Sequence, residues 1–168
     1  MSQSYFPLAV TPMPSADFDP LELALLKGAF SERYFEGDGK VYLSDMAGLS
    51  DTVEMTAVEL REHLAASPRI SNTLRSQAQA FLDEAGDDED IEFSIEDVRD
   101  SGYHWEQIIA DAVARSATLK YVIMTYASFD TRLDDVSAGA TLITKVGRRS
   151  KDLEQVIEEL FAAAGIEP

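Results

Sequence analysis

The sequence predicts an α+β fold, a single domain in which a small, mostly antiparallel sheet has helices packed on it. Segments with apolar residues at helical spacing alternate with short runs rich in Val, Ile, Tyr and Thr, which are typical of strands. Two of these runs, 119–129 and 140–146, are only about ten residues apart, which favours an antiparallel pair over a parallel crossover. The chain has 168 residues, 45% of them apolar, which suits one domain with a full core.

The N-terminal segment is predicted to be extended. Residues 1–18 contain three prolines, which exclude a regular helix and indicate an arm ahead of a domain that spans 19–168. Asp19 then provides an N-cap, and Pro20 takes the first helical position of "DPLELALLKGAF". The turn "GDGK" leads into a short strand at 41–44.

Two helices are predicted in the next part of the chain. The pattern "TAVE", from Thr56 to Glu59, is a capping box that opens the first helix, and Pro68 ends it. Ser71 opens the second helix, which ends near Gly86.

The segment 83–100 holds ten acids and one base, and it is the most acidic part of the chain. Within it Ile91, Phe93 and Ile95 alternate with polar residues, the period of a half-buried strand whose other face presents acids to solvent. A mobile acidic linker is the alternative, and the sequence does not separate the two.

The C-terminal part predicts a helix, the strand pair and a last helix. Ser101 is the expected cap of the first helix, and residues 105–113 carry an apolar stripe along one side of it. Ser150 is the expected cap of the last helix, which Gly165 closes.

The segment 121–165 also carries a resemblance. A strand leads through a loop with Arg132 and Asp134 to Gly139 and then to "ATLIT", Ala140–Thr144, before an acidic helix. This arrangement resembles the C-terminal part of small acidic proteins of unknown function that bacterial plasmids and phages encode. The resemblance implies an accessory protein of a mobile element, and it implies no activity.

Charge sets the class of partner. Thirty-one acids against fourteen bases give a net charge of −17, which disfavours direct binding to nucleic acid or to an anionic membrane and favours a basic protein surface. Solubility alone is the alternative reason for such a charge. The first twenty residues lack a basic region and an apolar run, and no other segment approaches the roughly 18 apolar residues that span a bilayer. These features predict a cytoplasmic protein.

Catalytic signatures are missing from the sequence. It has no cysteine, which excludes disulfides, thiolate nucleophiles and Cys-based metal sites. It also lacks a G-x-S-x-G elbow, a P-loop and a G-x-G-x-x-G fingerprint. His63 fits a helix surface, and His104 fits a helix start, where the dipole disfavours imidazolium. No catalytic residue, metal or cofactor is therefore predicted.

The loop between the paired strands is a candidate contact. Asp130, Asp134 and Asp135 supply the oxygen ligands that Mg²⁺ or Ca²⁺ takes, but Arg132 among them is better placed to pair with a carboxylate. We interpret the loop first as a solvated turn, second as a contact for a partner, and third as the metal site of a small metal-dependent enzyme.

The segment "KVGRRSK" is the only basic cluster in the sequence, with Lys145, Arg148, Arg149 and Lys151. Four cations on a body of −17 do not attract phosphates at long range, although at contact they satisfy nearby carboxylates. We therefore expect them to pair with acids of the same molecule, namely Asp152, Glu154 and the acids of the loop between the paired strands, or with the 83–100 segment of a second copy in a homodimer, and not with nucleic acid.

These observations predict a non-enzymatic, acidic protein–protein interaction module. As a mobile-element-encoded inhibitor, it would occupy a basic, nucleic-acid-binding surface of a host protein, in the manner of a DNA mimic. The alternative is a metal-binding protein or small enzyme that uses the Asp130–Asp135 loop. The predicted partner-binding residues are Asp87, Asp88, Glu89, Asp90, Glu92, Glu96, Asp130, Arg132, Asp134, Asp135, Glu154 and Glu158.

Overall fold

The computed structural model describes residues 8–45, 52–86, 90–94, 104–129 and 136–165. Within these ranges the chain has an α+β fold with mostly antiparallel sheet and five α-helices, as the sequence predicts. The strands are β1 (Leu8–Val10), β2 (Met13–Pro14), β3 (Tyr34–Gly37), β4 (Lys40–Asp45), β5 (Thr52–Thr56), β6 (Asp90–Ser94), β7 (Tyr121–Phe129), β8 (Val136–Thr144) and β9 (Gly147–Asp152). The helices are α1 (Pro20–Phe30), α2 (Ala57–Ala65), α3 (Asn72–Glu84), α4 (Trp105–Arg115) and α5 (Leu153–Ala164).

The larger sheet, here called the main sheet, has the order β3–β4–β1/β2–β7–β8–β9, and every pairing in it is antiparallel. The consecutive strands β1 and β2 both pair with β4, on the side opposite to β3. β5 and β6 form a separate two-stranded antiparallel sheet, here called the small sheet.

Residues 8–10 and 13–14, within the predicted N-terminal arm, are strands that pair with other parts of the domain. β1 lies inside the main sheet between β4 and β7, with Ala9 opposite both Ser44 and Thr125. Just after β1, the Thr11 backbone N–H donates to the Ile123 carbonyl at 3.0 Å. Prolines exclude a helix but permit strand residues that need no ladder donor, so the segment belongs to the body of the domain.

The hairpin of β7 and β8 confirms the predicted antiparallel pair. Its register runs from Tyr121 opposite Thr144 to Phe129 opposite Val136. The prediction for the next segment was wrong, because residues 147–152 form a further strand, β9, and do not begin a helix at Ser150. Asp152 is the actual N-cap, and its carboxylate accepts from the Gln155 backbone N–H at 2.8 Å.

Local capping signals set the starts of the other helices. Thr56 and Glu59 form the predicted capping box at α2, and the Ser71 hydroxyl accepts from the first turn of α3. His104 caps α4 with its Nδ1 atom, which accepts from the Glu106 backbone N–H at 3.2 Å. The predicted cap Ser101 lies outside the described residues. Gly165 closes α5 in the left-handed conformation, at a φ of +69°.

The core lies between the main sheet and helices α1 and α4. Large buried side chains from both layers fill it, and α1 also contacts the small sheet. There Val53 of β5 faces Gly28 of α1, where a Cβ atom would stand 2.4 Å from a Val53 methyl carbon. α1 therefore lies between the small sheet and the main sheet, and the absence of a side chain at Gly28 permits that close packing.

The acidic segment forms a strand where the structure describes it. Residues 90–94 are β6, and Ile91 is buried while Glu92 is exposed. Of the two alternatives for this segment, a half-buried strand and a mobile linker, the structure shows the strand for these residues. Residues 87–89 and 95–100 lie outside the described ranges.

Candidate functional site

The best-satisfied polar cluster is structural and lies at the start of α1. The fully buried carboxylate of Glu22 accepts from the Asp19 backbone N–H at 2.8 Å and from Arg115 of α4, whose Nη1 atom is 2.8 Å away. The Arg115 guanidinium also donates to the Asp17 carbonyl at 2.7 Å. Because each group has partners within the protein, this cluster joins α1 to α4 and leaves no reactive group open.

A second ion pair extends the cluster to the loop before α3. Arg69 donates its backbone N–H and its Nε atom to the buried Asp19 carboxylate, each at 2.6 Å. Its Nη2 atom donates to the Ala16 and Phe18 carbonyls at 3.0 and 3.2 Å. This bonding holds the segment between β2 and α1 against the α2–α3 connection.

Burial perturbs the ionisation of Glu22. Desolvation raises the pKa of Glu22 above its ordinary value of 4.5, despite the opposing bonds from Arg115 and from the Asp19 backbone. For Arg115, burial acts to lower the pKa, but the hydrogen bonds and charge of Glu22 outweigh it and raise the pKa. Arg115 therefore stays charged, and Glu22 is the titrating member of the pair.

This ionisation predicts a pH dependence of stability. A carboxyl group whose pKa is raised by folding contributes stability that is complete below its unfolded pKa, and that is lost as the pH rises through the folded pKa. The free energy of unfolding of the wild type minus that of a Glu22→Gln variant should therefore fall as the pH rises from 4.5 upward. Urea unfolding of both proteins from pH 4 to 8 measures it, and a difference that rises with pH would contradict the assignment.

The small sheet presents an acidic face to solvent. Glu54 on β5 stands directly opposite Glu92 on β6, and Thr56 stands opposite Asp90. All four side chains are exposed, while Val53, on the other side of β5, is buried. We call Glu54, Asp90 and Glu92 the acidic face. Within the described ranges none of these three carboxylates forms an ion pair.

Helix α5 presents an apolar side that the described part of the fold does not cover. Its main contacts are with β8 and β9. No residue of α5 is buried, and the exposed fractions of Leu153, Val156, Ile157 and Leu160 are 39%, 38%, 43% and 64%. An amphipathic helix ordinarily buries such a stripe. The stripe is therefore a candidate contact surface.

A groove runs along one flank of this stripe, with a volume of about 650 Å³. We call it the α5 groove. Its lining includes the apolar side chains of Tyr126 and Phe161, which we call its floor, and the carboxylates of Glu154 and Glu158, which we call its rim. In the described part of the chain neither rim carboxylate has a cationic partner. The two carboxylates lie one helical turn apart on α5, a spacing at which like charges repel each other.

The basic segment forms ion pairs within the molecule, and its described partners are other acids than Asp152 and Glu154, while the acids of the loop 130–135 lie outside the described residues. Arg148 forms an ion pair with Glu106 of α4, and Lys151 donates to Glu159 of α5 at 2.6 Å. Lys145 donates to the Ser116 carbonyl. Arg149 stands opposite Leu142 on the other side of β8–β9 and forms no ion pair with any described residue.

The structure places the predicted contact residues in separate elements. Asp90 and Glu92 lie on β6 of the small sheet, whereas Glu154 and Glu158 lie on α5 beside the main sheet. The other predicted residues lie outside the described ranges, namely Asp87, Asp88, Glu89, Glu96, Asp130, Arg132, Asp134 and Asp135. The metal alternative at Asp130–Asp135 therefore stays a prediction. Among the described residues no three His, Cys, Asp or Glu side chains converge as metal ligands do.

Sequence reasoning missed Glu54 and the α5 groove. The run "TVEMT" has the alternation of a strand and would have shown Glu54 as outward-facing. The groove depends on how α5 leaves the sheet, which no local pattern encodes. No helix within the described ranges has both the length and the apolar character needed to cross a bilayer. In comparisons with known proteins, no family model, curated protein or solved structure matches the chain.

Proposed function

We propose that this protein is a non-enzymatic interaction module that occupies a basic, nucleic-acid-binding surface of a protein partner. The observation that carries the proposal is the acidic face, where Glu54 and Glu92 stand opposite each other on neighbouring strands. Directly opposed like charges destabilise a sheet. A cation from outside the molecule would relieve that repulsion.

The geometry of the acidic face supports a basic partner. Directly opposed side chains have Cβ atoms about 4.5–5.5 Å apart, and Asp90 and Glu92 follow at roughly 7 Å along one strand. Three carboxylates therefore lie within reach of a few Arg or Lys side chains. Duplex DNA carries one charge per roughly 1.7 Å of axis, so a surface that binds DNA suits such a cluster.

The proposal extends to a biological setting. An acidic protein that fills a nucleic-acid-binding groove acts as an inhibitor of the protein that owns the groove. The resemblance of residues 121–165 to plasmid- and phage-encoded acidic proteins supports a mobile element as the source and a host protein as the target.

Competition tests this function. Immobilised protein is incubated with host lysate over a salt series, with and without added duplex DNA. We expect a captured protein that leaves as salt rises, because salt screens exposed charges, and that DNA displaces. A Glu54→Gln, Glu92→Gln variant should capture less of it, whereas Glu62→Gln, on the exposed side of α2, should not. The proposal would be refuted if neither added DNA nor the double substitution changed the amount of captured protein.

The opposed carboxylates of the acidic face should also lower the free energy of unfolding of the protein. Replacing Glu92 with threonine removes the opposed pair and adds a strand-favouring residue, so the free energy of unfolding should increase by about 0.2–1 kcal/mol. In a double-mutant cycle with Glu54→Thr, the double variant should gain less free energy of unfolding than the sum of the gains of the two single variants. Either change alone already removes the repulsion. Urea unfolding measures both, and a loss of stability on Glu92→Thr would show that the pair is not repulsive.

A further inference from the structure

The turn between β8 and β9 is unusual for its composition. Thr144 pairs with Gly147, so Lys145 and Val146 form a two-residue turn. Such turns favour Asn, Asp and Gly, and a β-branched residue has no advantage there. Val146 is nevertheless 97% exposed, so neither turn conformation nor packing within the molecule accounts for an apolar side chain at this tip.

Arg149 places an exposed positive charge near the tip, and it forms no ion pair with a described residue. Val146, Leu142 and Arg149 line one shallow hollow of about 260 Å³. The neighbouring cations differ, because Arg148 pairs with Glu106 and Lys145 bonds to Ser116. We call Val146 and Arg149 the turn knob, an apolar side chain beside a cation.

The α5 groove has the complementary chemistry. It offers an apolar floor with Tyr126, Ile157 and Phe161, and an acidic rim with Glu154 and Glu158 that no described cation neutralises. Within the described part of the chain, the turn knob is the apolar tip with an unpaired cation that matches this floor and rim.

Val146 of the turn knob cannot reach the groove of its own molecule. The turn follows Thr144 at one end of the β8–β9 ladder, and the groove lies beside Ser137 and Asp152 at the other end. The five residue steps of β9 set the turn roughly 17 Å from the groove end along a paired strand, and Arg149 is three steps, roughly 10 Å, from Asp152. A turn knob that places Val146 in the groove must therefore come from another molecule.

We propose that the α5 groove binds the turn knob of a second copy, so that the protein associates head to tail. Val146 packs on the apolar floor, and Arg149 pairs with Glu154 and Glu158. A contact between two different surfaces either closes into a ring or grows as an open chain. The acidic face takes no part in this contact and stays free for the partner proposed above.

Charge sets the conditions for this association. Two bodies of −17 repel each other at long range, but at about 0.15 M salt the screening length is roughly 8 Å, so only the charges near the contact count. Association should therefore be stronger at about 0.15 M than at about 0.01 M salt, which is the reverse of the salt dependence expected for capture of a basic partner.

Complementation between two variants tests the contact with the purified chain alone. In sedimentation velocity at about 0.15 M salt, the wild type should show a weight-average mass that rises with concentration up to about 1 mM. Arg149→Glu disables the knob and Glu158→Arg disables the groove, so each variant alone should associate at least about tenfold more weakly. A mixture of the two should associate again, because the intact knob of one variant meets the intact groove of the other, and the two exchanged charges at 149 and 158 are also opposite in sign.

Matched controls separate the contact from changes in charge or folding. Arg33→Glu makes the same charge change as Arg149→Glu at an exposed site before β3, and it should associate as the wild type does. Val146→Asp should abolish association, whereas Val58→Asp, at an exposed valine in the first turn of α2, should not. A monomeric wild type, or a mixture of the two variants that stays monomeric, would overturn the proposal.

Discussion

Replacing Arg115 with alanine is expected to lower the free energy of unfolding by about 3–5 kcal/mol, the largest single effect we predict. The variant would leave the Glu22 carboxylate, which is fully buried, without its cation, and would leave the Asp17 carbonyl without its guanidinium donor. An uncompensated buried charge costs far more than a surface pair contributes, because water cannot reach it.

Urea unfolding at pH 7 measures this effect, and a second ion pair serves as the control. Lys151 and Glu159 are both more than half exposed, so Lys151→Ala should cost less than about 1 kcal/mol. Replacing both partners, as Glu22→Leu with Arg115→Met, should recover much of the loss, because an apolar pair leaves no buried charge. A small effect of Arg115→Ala would mean that Glu22 loses its charge by protonation or is solvated by water in the folded variant.

The second large effect on the free energy of unfolding is expected from adding one methyl group at Gly28. A Cβ atom there would stand 2.4 and 2.7 Å from the two methyl carbons of Val53 and 3.0 Å from its Cβ atom. Rotation of the Val53 side chain cannot relieve the last of these contacts. We expect Gly28→Ala to destabilise the protein by about 1–3 kcal/mol, although alanine is by itself the better helix former by about 1 kcal/mol.

A double-mutant cycle assigns the Gly28 effect to packing. Val53→Ala alone removes buried methyl groups and should also destabilise the protein. Combined with Gly28→Ala it should cost less than the sum of the two, because the new methyl group fills the vacated space. Strictly additive losses, measured by thermal or urea unfolding, would show that α1 and β5 are not in contact at this point.

The parts of the fold that the sequence predicts well are those with local causes. The Asp19–Pro20 start of α1 and the capping box at Thr56 follow from neighbouring residues whose side chains satisfy helix-end donors. The antiparallel pairing of β7 with β8 follows from two strong strand patterns with a short connection. In each case the signal and the structure lie within a few residues of each other.

The parts that the sequence does not predict depend on distant contacts. β9, "GRRSKD", has no apolar alternation, and it is a strand because it pairs with β8 along the sheet edge. Charged residues are typical of such an edge, where they oppose pairing with other chains. The acidic face was predicted only in part, because Glu92 was identified from its own strand while its neighbour Glu54 required knowledge of the pairing.

The central place of β1 has a consequence for synthesis of the protein on the ribosome. β1 can pair early with β4, but Thr11 and its partner Ile123 are 112 residues apart. At roughly 5–20 residues per second, the other edge of β1 waits on the order of 6–22 s for β7 to be made. During that interval a half-sheet presents an open edge to other nascent chains, which is the exposure that chaperones relieve. Expression at lower temperature or with added chaperone should therefore raise the yield of folded protein more than changes to its surface charge.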